Sequence, residues 1–133
     1  MDMNFTTLLT VTPMYIAILG LILVPMTMYV GMYRIKNKVD IGDNADKYLI
    51  RRIRSHANFI ETVPLAVILL LTAELMGASA ILLHCLGITL VLARILHFIG
   101  LSGIGPFFGR PIGMFGTLGV YLVTSIWILV ALI

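Results

Sequence analysis

Four long stretches of this chain carry almost no charged side chains. Asp, Glu, Lys and Arg are absent from residues 3–33, 75–93 and 111–133, and Glu61 is the one such residue in 55–73. A helix that spans a bilayer needs about 20 mostly apolar residues, and backbone groups in lipid must bond within their own segment. The sequence therefore predicts an all-α membrane protein. Its 133 residues should form a single four-helix transmembrane bundle (residues 1–133), with helices at roughly 8–35, 50–74, 77–99 and 111–132.

Composition excludes a small soluble fold. Hydrophobic residues make up 60% of the chain and charged residues only 11%, whereas soluble domains carry about 25% charged residues. Membrane lipids are therefore expected partners. Cys85 is the single cysteine, and its apolar surroundings predict a small buried hydrophobic side chain.

The basic residues predict the orientation in the membrane. All nine flank the first or the third connection between the helices: Arg34, Lys36, Lys38, Lys47, Arg51, Arg52, Arg54, Arg94 and Arg110. Positively charged loops stay in the cytoplasm, so both of these connections should be cytoplasmic and both termini should face the other side. The net charge of +3 is then explained by the membrane topology, so we predict no nucleic-acid partner. We also predict no metal site.

A polar cluster is expected just inside the membrane boundary. Arg54, Asn58 and Glu61 are spaced i, i+4 and i+7, which places them on one helix face. Glu61 should lie roughly 10 Å deeper than Arg54. A carboxylate at mid-bilayer costs roughly 2.5–3.5 kcal/mol, so it usually faces the bundle interior beside a partner. A structural ion pair and a polar ligand site both fit this spacing.

The other helices should deliver further polar groups to the same level, which favours a ligand site. Arg94 and His97 share a face at the end of the third helix, Arg110 begins the fourth, and Arg34 ends the first. Arginine binds carboxylates bidentately, a glutamate would bind an ammonium group, and a nearby arginine favours a thiolate. Glutathione, with two carboxylates, an amine and a thiol, fits this description.

The run Arg54-Ser55-His56-Ala57-Asn58-Phe59-Ile60-Glu61 resembles the motif of the membrane-associated proteins in eicosanoid and glutathione metabolism. The resemblance covers essentially the whole chain and is strongest to short bacterial members. It implies a homotrimer in the inner (cytoplasmic) membrane, with glutathione as co-substrate between subunits and a hydrophobic small molecule as second substrate. The implied catalytic residue is Arg110. The implied glutathione-binding residues are Arg34, Arg54, Asn58, Glu61, Arg94 and His97.

Two departures from the family leave alternatives open. Ala57 stands where some members have an arginine, and Leu101 stands where they have a tyrosine. The first hypothesis is a glutathione transferase or peroxidase that acts on hydrophobic electrophiles. The alternative is a non-catalytic lipid-binding or scaffold member of the same fold. A small multidrug transporter ranks last, because the first helix carries no charge. The glycines of the fourth helix, among them Gly113 and Gly119, are predicted to serve helix packing.

Overall fold

The four long apolar stretches form four helices. A computed structural model describes residues 9–133 and contains no strand in that range. The helices are α1 (Thr12–Asn37), α2 (Lys47–Leu75), α3 (Ala80–Ser102) and α4 (Gly109–Ala131). Each is long and apolar enough to cross a membrane, so the predicted fold class is confirmed. The predicted start of the first helix, residue 8, lies outside the described residues.

Local capping explains where α2 begins and where α3 begins and ends. Asp46 precedes α2 and accepts hydrogen bonds from the backbone N–H groups of Tyr48 and Leu49. The hydroxyl of Tyr33 donates to the same carboxylate at 2.7 Å and is the main reason why the pKa of Asp46 lies below its ordinary value. Ser79 caps α3, and Gly103, with a φ of 84°, ends it. These caps place α3 three residues later than the sequence suggested.

The N-terminus of α1 is capped by a residue from another helix. Val11 stands at the N-cap, and its apolar side chain cannot accept a hydrogen bond from the backbone. Instead, the Glu74 carboxylate accepts from the backbone N–H groups of Thr10, Val11 and Thr12 at 2.6–2.7 Å. A carboxylate favours a helix N-terminus because it meets the positive end of the helix dipole. Glu74 is 7% exposed, so the end of α2 is tied firmly to the start of α1.

The core runs along the faces where the four helices meet. In α2 the buried residues include Phe59, Val63, Ala66 and Leu70, whose spacing of three or four residues is that of one helix face. Both α2 and α3 contact all of the other helices, whereas α1 and α4 meet only marginally. The outward faces remain apolar; Leu21, for example, is 73% exposed. An apolar exterior of this kind is what lipid contact requires.

Cys85 belongs to the outward face of α3. The side chain is exposed, and so are Ile81, Ile88 and Leu92, which repeat on the same face. The prediction of a buried Cys85 is therefore wrong for the single chain. The apolar run around Cys85 reflects contact with the membrane and says nothing about the protein interior.

Glycine brings α3 and α4 into close contact. A Cβ added to Gly113 would lie 2.6 Å from both the Cβ and the backbone nitrogen of His97. One added to Gly109 would lie 2.8 Å from the carbonyl oxygen of Leu96. Gly119, in contrast, is exposed and faces open space. The predicted packing role therefore holds for Gly113 but is wrong for Gly119 within the chain.

We predict that Gly113→Ala lowers the free energy of unfolding by about 1–3 kcal/mol, the usual cost of overpacking a tight contact. Gly119→Ala is the matched control on the same helix, and it should be neutral or slightly stabilising because alanine favours helix. Thermal unfolding in detergent, followed by circular dichroism, measures both. Equal losses for the two variants would contradict the close approach of α3 and α4.

Candidate functional site

A groove opens where the start of α2, the end of α3 and the start of α4 meet. Its volume is about 550 Å³. One part of its wall is polar and carries three arginines, and the rest is apolar. The polar residues are Arg51, Arg54, Asn58, His97 and Arg110, and the apolar ones are Ile50, Leu101, Phe107, Pro111, Met114 and Phe115. We call it the arginine groove.

The three arginines of the groove are held differently. Arg51 donates through Nε to the carbonyl of Leu101 at 3.0 Å, and through Nη2 to the carbonyl of Gly100 at 3.4 Å. Its Nη1 takes no part in these two bonds. Arg54 and Arg110 are exposed, and Arg110 stands in the first turn of α4. The groove therefore presents one cation anchored to backbone carbonyls and two exposed cations, of which Arg54 lies 4.0 Å from the Glu61 carboxylate.

Arg94 lies behind the groove wall and is 2% exposed. Its Nη1 donates to Asn58 Oδ1 at 2.9 Å and to Thr62 Oγ1 at 2.8 Å, and its Nη2 donates to the carbonyl of Gly113 at 3.0 Å. One guanidinium thus connects α2, α3 and α4. Since Asn58 Oδ1 accepts from Arg94, the amide nitrogen is the group that Asn58 has left for a ligand.

His97 has a defined tautomer. Its Nδ1 lies 2.9 Å from the carbonyl oxygen of Arg110, and a carbonyl only accepts, so Nδ1 carries the hydrogen. In the neutral ring Nε2 is then an acceptor, and it is buried without a partner among residues 9–133. His97 therefore positions the first turn of α4, and with it Arg110.

Glu61 and Arg34, both predicted to bind the ligand, do not line the arginine groove of the single chain. Glu61 is 56% exposed and lies 4.0 Å from Arg54, so the expected partner is present. The expected orientation toward the bundle interior is wrong within the chain. Arg34 lines a separate depression with Lys38 and Asp40, and its Nη1 is buried without a partner among the described residues.

Sequence reasoning missed part of the groove. Arg51 lies three residues before Arg54 and seven before Asn58, so helical spacing alone would have placed it on the same face. Phe107, Met114 and Phe115 carried no such signal, because every apolar residue of a membrane helix resembles its neighbours. Their position in the groove depends on how α4 is turned against α3.

The fold and the groove together define a multi-helix membrane protein with a cationic, half-apolar site at one end of the bundle. The model of the MAPEG family matches residues 12–130, and the chain belongs to that family. This confirms the resemblance that the motif around Asn58 indicated.

Two curated relatives bear the name "Inner membrane protein YecN", from Escherichia coli strain K12 and from Escherichia coli O6:H1. Each is 32% identical to the chain over 90 residues, which cover 68% of the chain and 69% of the relative. The predicted location in an inner membrane agrees with this name and with the four spanning helices. The side on which each connection lies stays a prediction.

We predict that Arg94→Met lowers the free energy of unfolding by at least about 1.5–3 kcal/mol, the usual value of one hydrogen bond made by a charged group, because Arg94 makes three such bonds. Arg54→Met makes the same chemical change at an exposed arginine and should stay within about 0.5 kcal/mol of the parent protein. Chemical unfolding in mixed micelles compares the two. If Arg94→Met unfolds like Arg54→Met, the buried guanidinium does not hold the helices together.

Proposed function

We propose that the chain is a membrane-bound, glutathione-dependent transferase or peroxidase that acts on hydrophobic electrophiles. The observation that carries the proposal is the arginine groove itself. Three guanidinium groups and an asparagine amide lie beside aromatic and aliphatic side chains in one volume of about 550 Å³. Such a wall suits a polar anion on one side and an apolar molecule on the other.

The polar wall fits the peptide part of glutathione. Arg54 and Arg110 are exposed arginines, so each guanidinium can turn its planar fork toward a carboxylate. Arg51, held by two carbonyl oxygens of α3, adds a cation that needs no reordering. The amide nitrogen of Asn58 provides a neutral donor. Binding the two carboxylates with partly fixed groups lowers the entropy lost on association.

Arg110 is the residue that would stabilise the thiolate. Arg110 stands in the first turn of α4, where the positive end of the helix dipole adds to the field of its guanidinium. A positive field lowers the pKa of a nearby thiol, and the thiolate is the nucleophile. In the proposed reaction the glutathione sulfur forms a bond to the electrophilic carbon of the second substrate. The leaving group departs with the electron pair.

The apolar wall would hold the second substrate. Phe107 and Phe115 are 71% and 73% exposed, so no other part of the described chain covers this wall and a lipid-soluble molecule can reach it. Holding thiolate and electrophile side by side makes the reaction effectively unimolecular. Leu101 extends the apolar wall, which also favours the second candidate function, a non-catalytic lipid-binding or scaffold protein.

The proposal includes a homotrimer in the inner membrane, with the arginine groove on the cytoplasmic side. Arg34 and Glu61 lie outside the groove of one chain. In a trimer, residues of this kind could complete the site of a neighbouring subunit.

The test is a titration of the purified protein with glutathione while the ultraviolet absorbance of the thiolate is followed. We predict a thiolate signal in the parent protein. Arg110→Ala should lower the equilibrium constant for forming the bound thiolate by roughly tenfold to a hundredfold, which corresponds to the free energy of one charged hydrogen bond. Lys47→Ala is the control, because Lys47 is exposed at the start of α2 and does not line the groove. Absence of binding at millimolar glutathione would reject the enzyme and favour the lipid-binding alternative.

A further inference from the structure

A second groove runs along one face of α1. Its deeper part, of about 310 Å³, is lined by apolar and aromatic residues: Ile22, Pro25, Met26, Tyr29, Ile95 and Phe98. Its upper part, of about 530 Å³, is lined by Met32, Tyr33, Lys36, Asn37 and Arg52. The α1 residues of both parts recur every three or four positions, so they lie on one helix face. We call the two parts together the α1 groove.

Arg52 connects the two parts of the α1 groove. Its guanidinium lies over the rings of Tyr29 and Tyr33, at 3.6 and 4.4 Å from their centroids, and its Nη1 donates to the carbonyl of Tyr29 at 2.8 Å. Tyr29 in turn packs edge-on against Phe98 in the apolar part. A continuous wall therefore leads from a cationic end to an apolar end.

The length and position of the groove match one leaflet of a bilayer. Pro25 and Lys36 are separated by about 16 Å along the helix, close to half of the ~30 Å hydrocarbon core. Lys36 stands in the last turn of α1, where the helix reaches the headgroup region. Pro25 then lies near the middle of the bilayer. A phospholipid has this same arrangement, with a phosphate at the surface and an acyl chain that ends at the midplane.

The charge at the upper end favours an anionic lipid. Lys36 and Arg52 line it, and Asn37 adds an amide. Asp46 is the acidic neighbour, bonded to Tyr33, but its oxygens are taken up by the Tyr33 hydroxyl and by the N–H groups that begin α2. Lys36, Arg52 and Asp46 together carry a net charge of +1, and each basic residue near the membrane surface contributes about 1 kcal/mol to the attraction of an anionic lipid.

We propose that the α1 groove binds one anionic phospholipid of the bilayer. The phosphate lies at Lys36, Asn37 and Arg52, and one acyl chain lies along Ile22, Met26 and Phe98. The α1 groove shares no lining residue with the arginine groove. The adjacent residues Arg51 and Arg52 line different grooves because successive helical residues point in different directions. The proposal does not depend on glutathione binding.

Native mass spectrometry of delipidated protein in detergent tests the proposal. The probes are phosphatidylglycerol, phosphatidylcholine with the same acyl chains, and soluble glycerol phosphate. We expect one phosphatidylglycerol per chain to persist, about fivefold weaker binding in Lys36→Gln, and no change in the control Lys47→Gln. Lys36 is exposed, so its replacement should not disturb folding, and Lys36→Arg should restore binding.

Three results would overturn the proposal. Equal affinity for phosphatidylcholine would remove the role of charge. If glycerol phosphate competed with an affinity equal to that of phosphatidylglycerol, the site would bind the phosphate alone and the apolar part of the groove would have no role. Unchanged lipid binding in Lys36→Gln would remove the proposed phosphate contact, and a change in oligomeric state instead would assign this face to a second copy of the chain.

Discussion

The arrangement of this bundle depends on one buried guanidinium. Arg94 stands in the third helix and donates to α2 through Asn58 and Thr62 and to α4 through the carbonyl of Gly113. In a membrane there is no water to satisfy such a group if the helices separate. The hydrogen bonds of Arg94 therefore favour one relative position of the three helices. The arginine groove is the surface that this position creates.

Close packing and polar contacts reinforce each other at this point. Gly113 provides both the small surface that lets α4 approach His97 and the carbonyl that accepts from Arg94. His97 donates to the carbonyl of Arg110, which lies one turn before Gly113 in α4. Since these contacts involve backbone atoms of α4, they set the height and rotation of its first turn. The position of Arg110 at the groove follows from them.

The opposite end of the bundle uses a different interaction for the same purpose. Glu74 accepts three backbone N–H groups at the start of α1, and the Tyr15 hydroxyl lies 2.8 Å from Nδ1 of His84 in α3. Both contacts attach α1 to the hairpin of α2 and α3. These polar contacts add to the apolar contacts that Leu19 and Met26 make with the core.

The sequence was sufficient for the spans, because a long uncharged stretch has one economical structure in lipid. It also placed Arg54, Asn58, His97 and Arg110 at one level, and the structure brings these four together in one groove. The sequence did not distinguish Arg94, whose guanidinium is hydrogen-bonded inside the bundle, from the arginines that line the groove. Helical spacing gives the face and depth of a side chain, but the neighbouring helix that it meets depends on packing.

The same limit explains Glu61, Gly119 and Cys85. Their positions along the helices followed from the sequence, whereas their outward directions did not. A membrane helix is apolar on its lipid side as well as on its protein side, so hydrophobicity does not distinguish the two. Only contacts such as those of Gly113 and Arg94 reveal which face is inward.

We propose that Arg94 holds the helices while the exposed arginines of the groove bind the ligand. Nuclear magnetic resonance of arginine guanidinium groups, recorded during a titration with glutathione, tests it most directly. We predict that the Arg54 and Arg110 signals shift and saturate together while the Arg94 signal stays protected from exchange and nearly unmoved. A large shift or loss of protection at Arg94, with Arg110 unaffected, would contradict it.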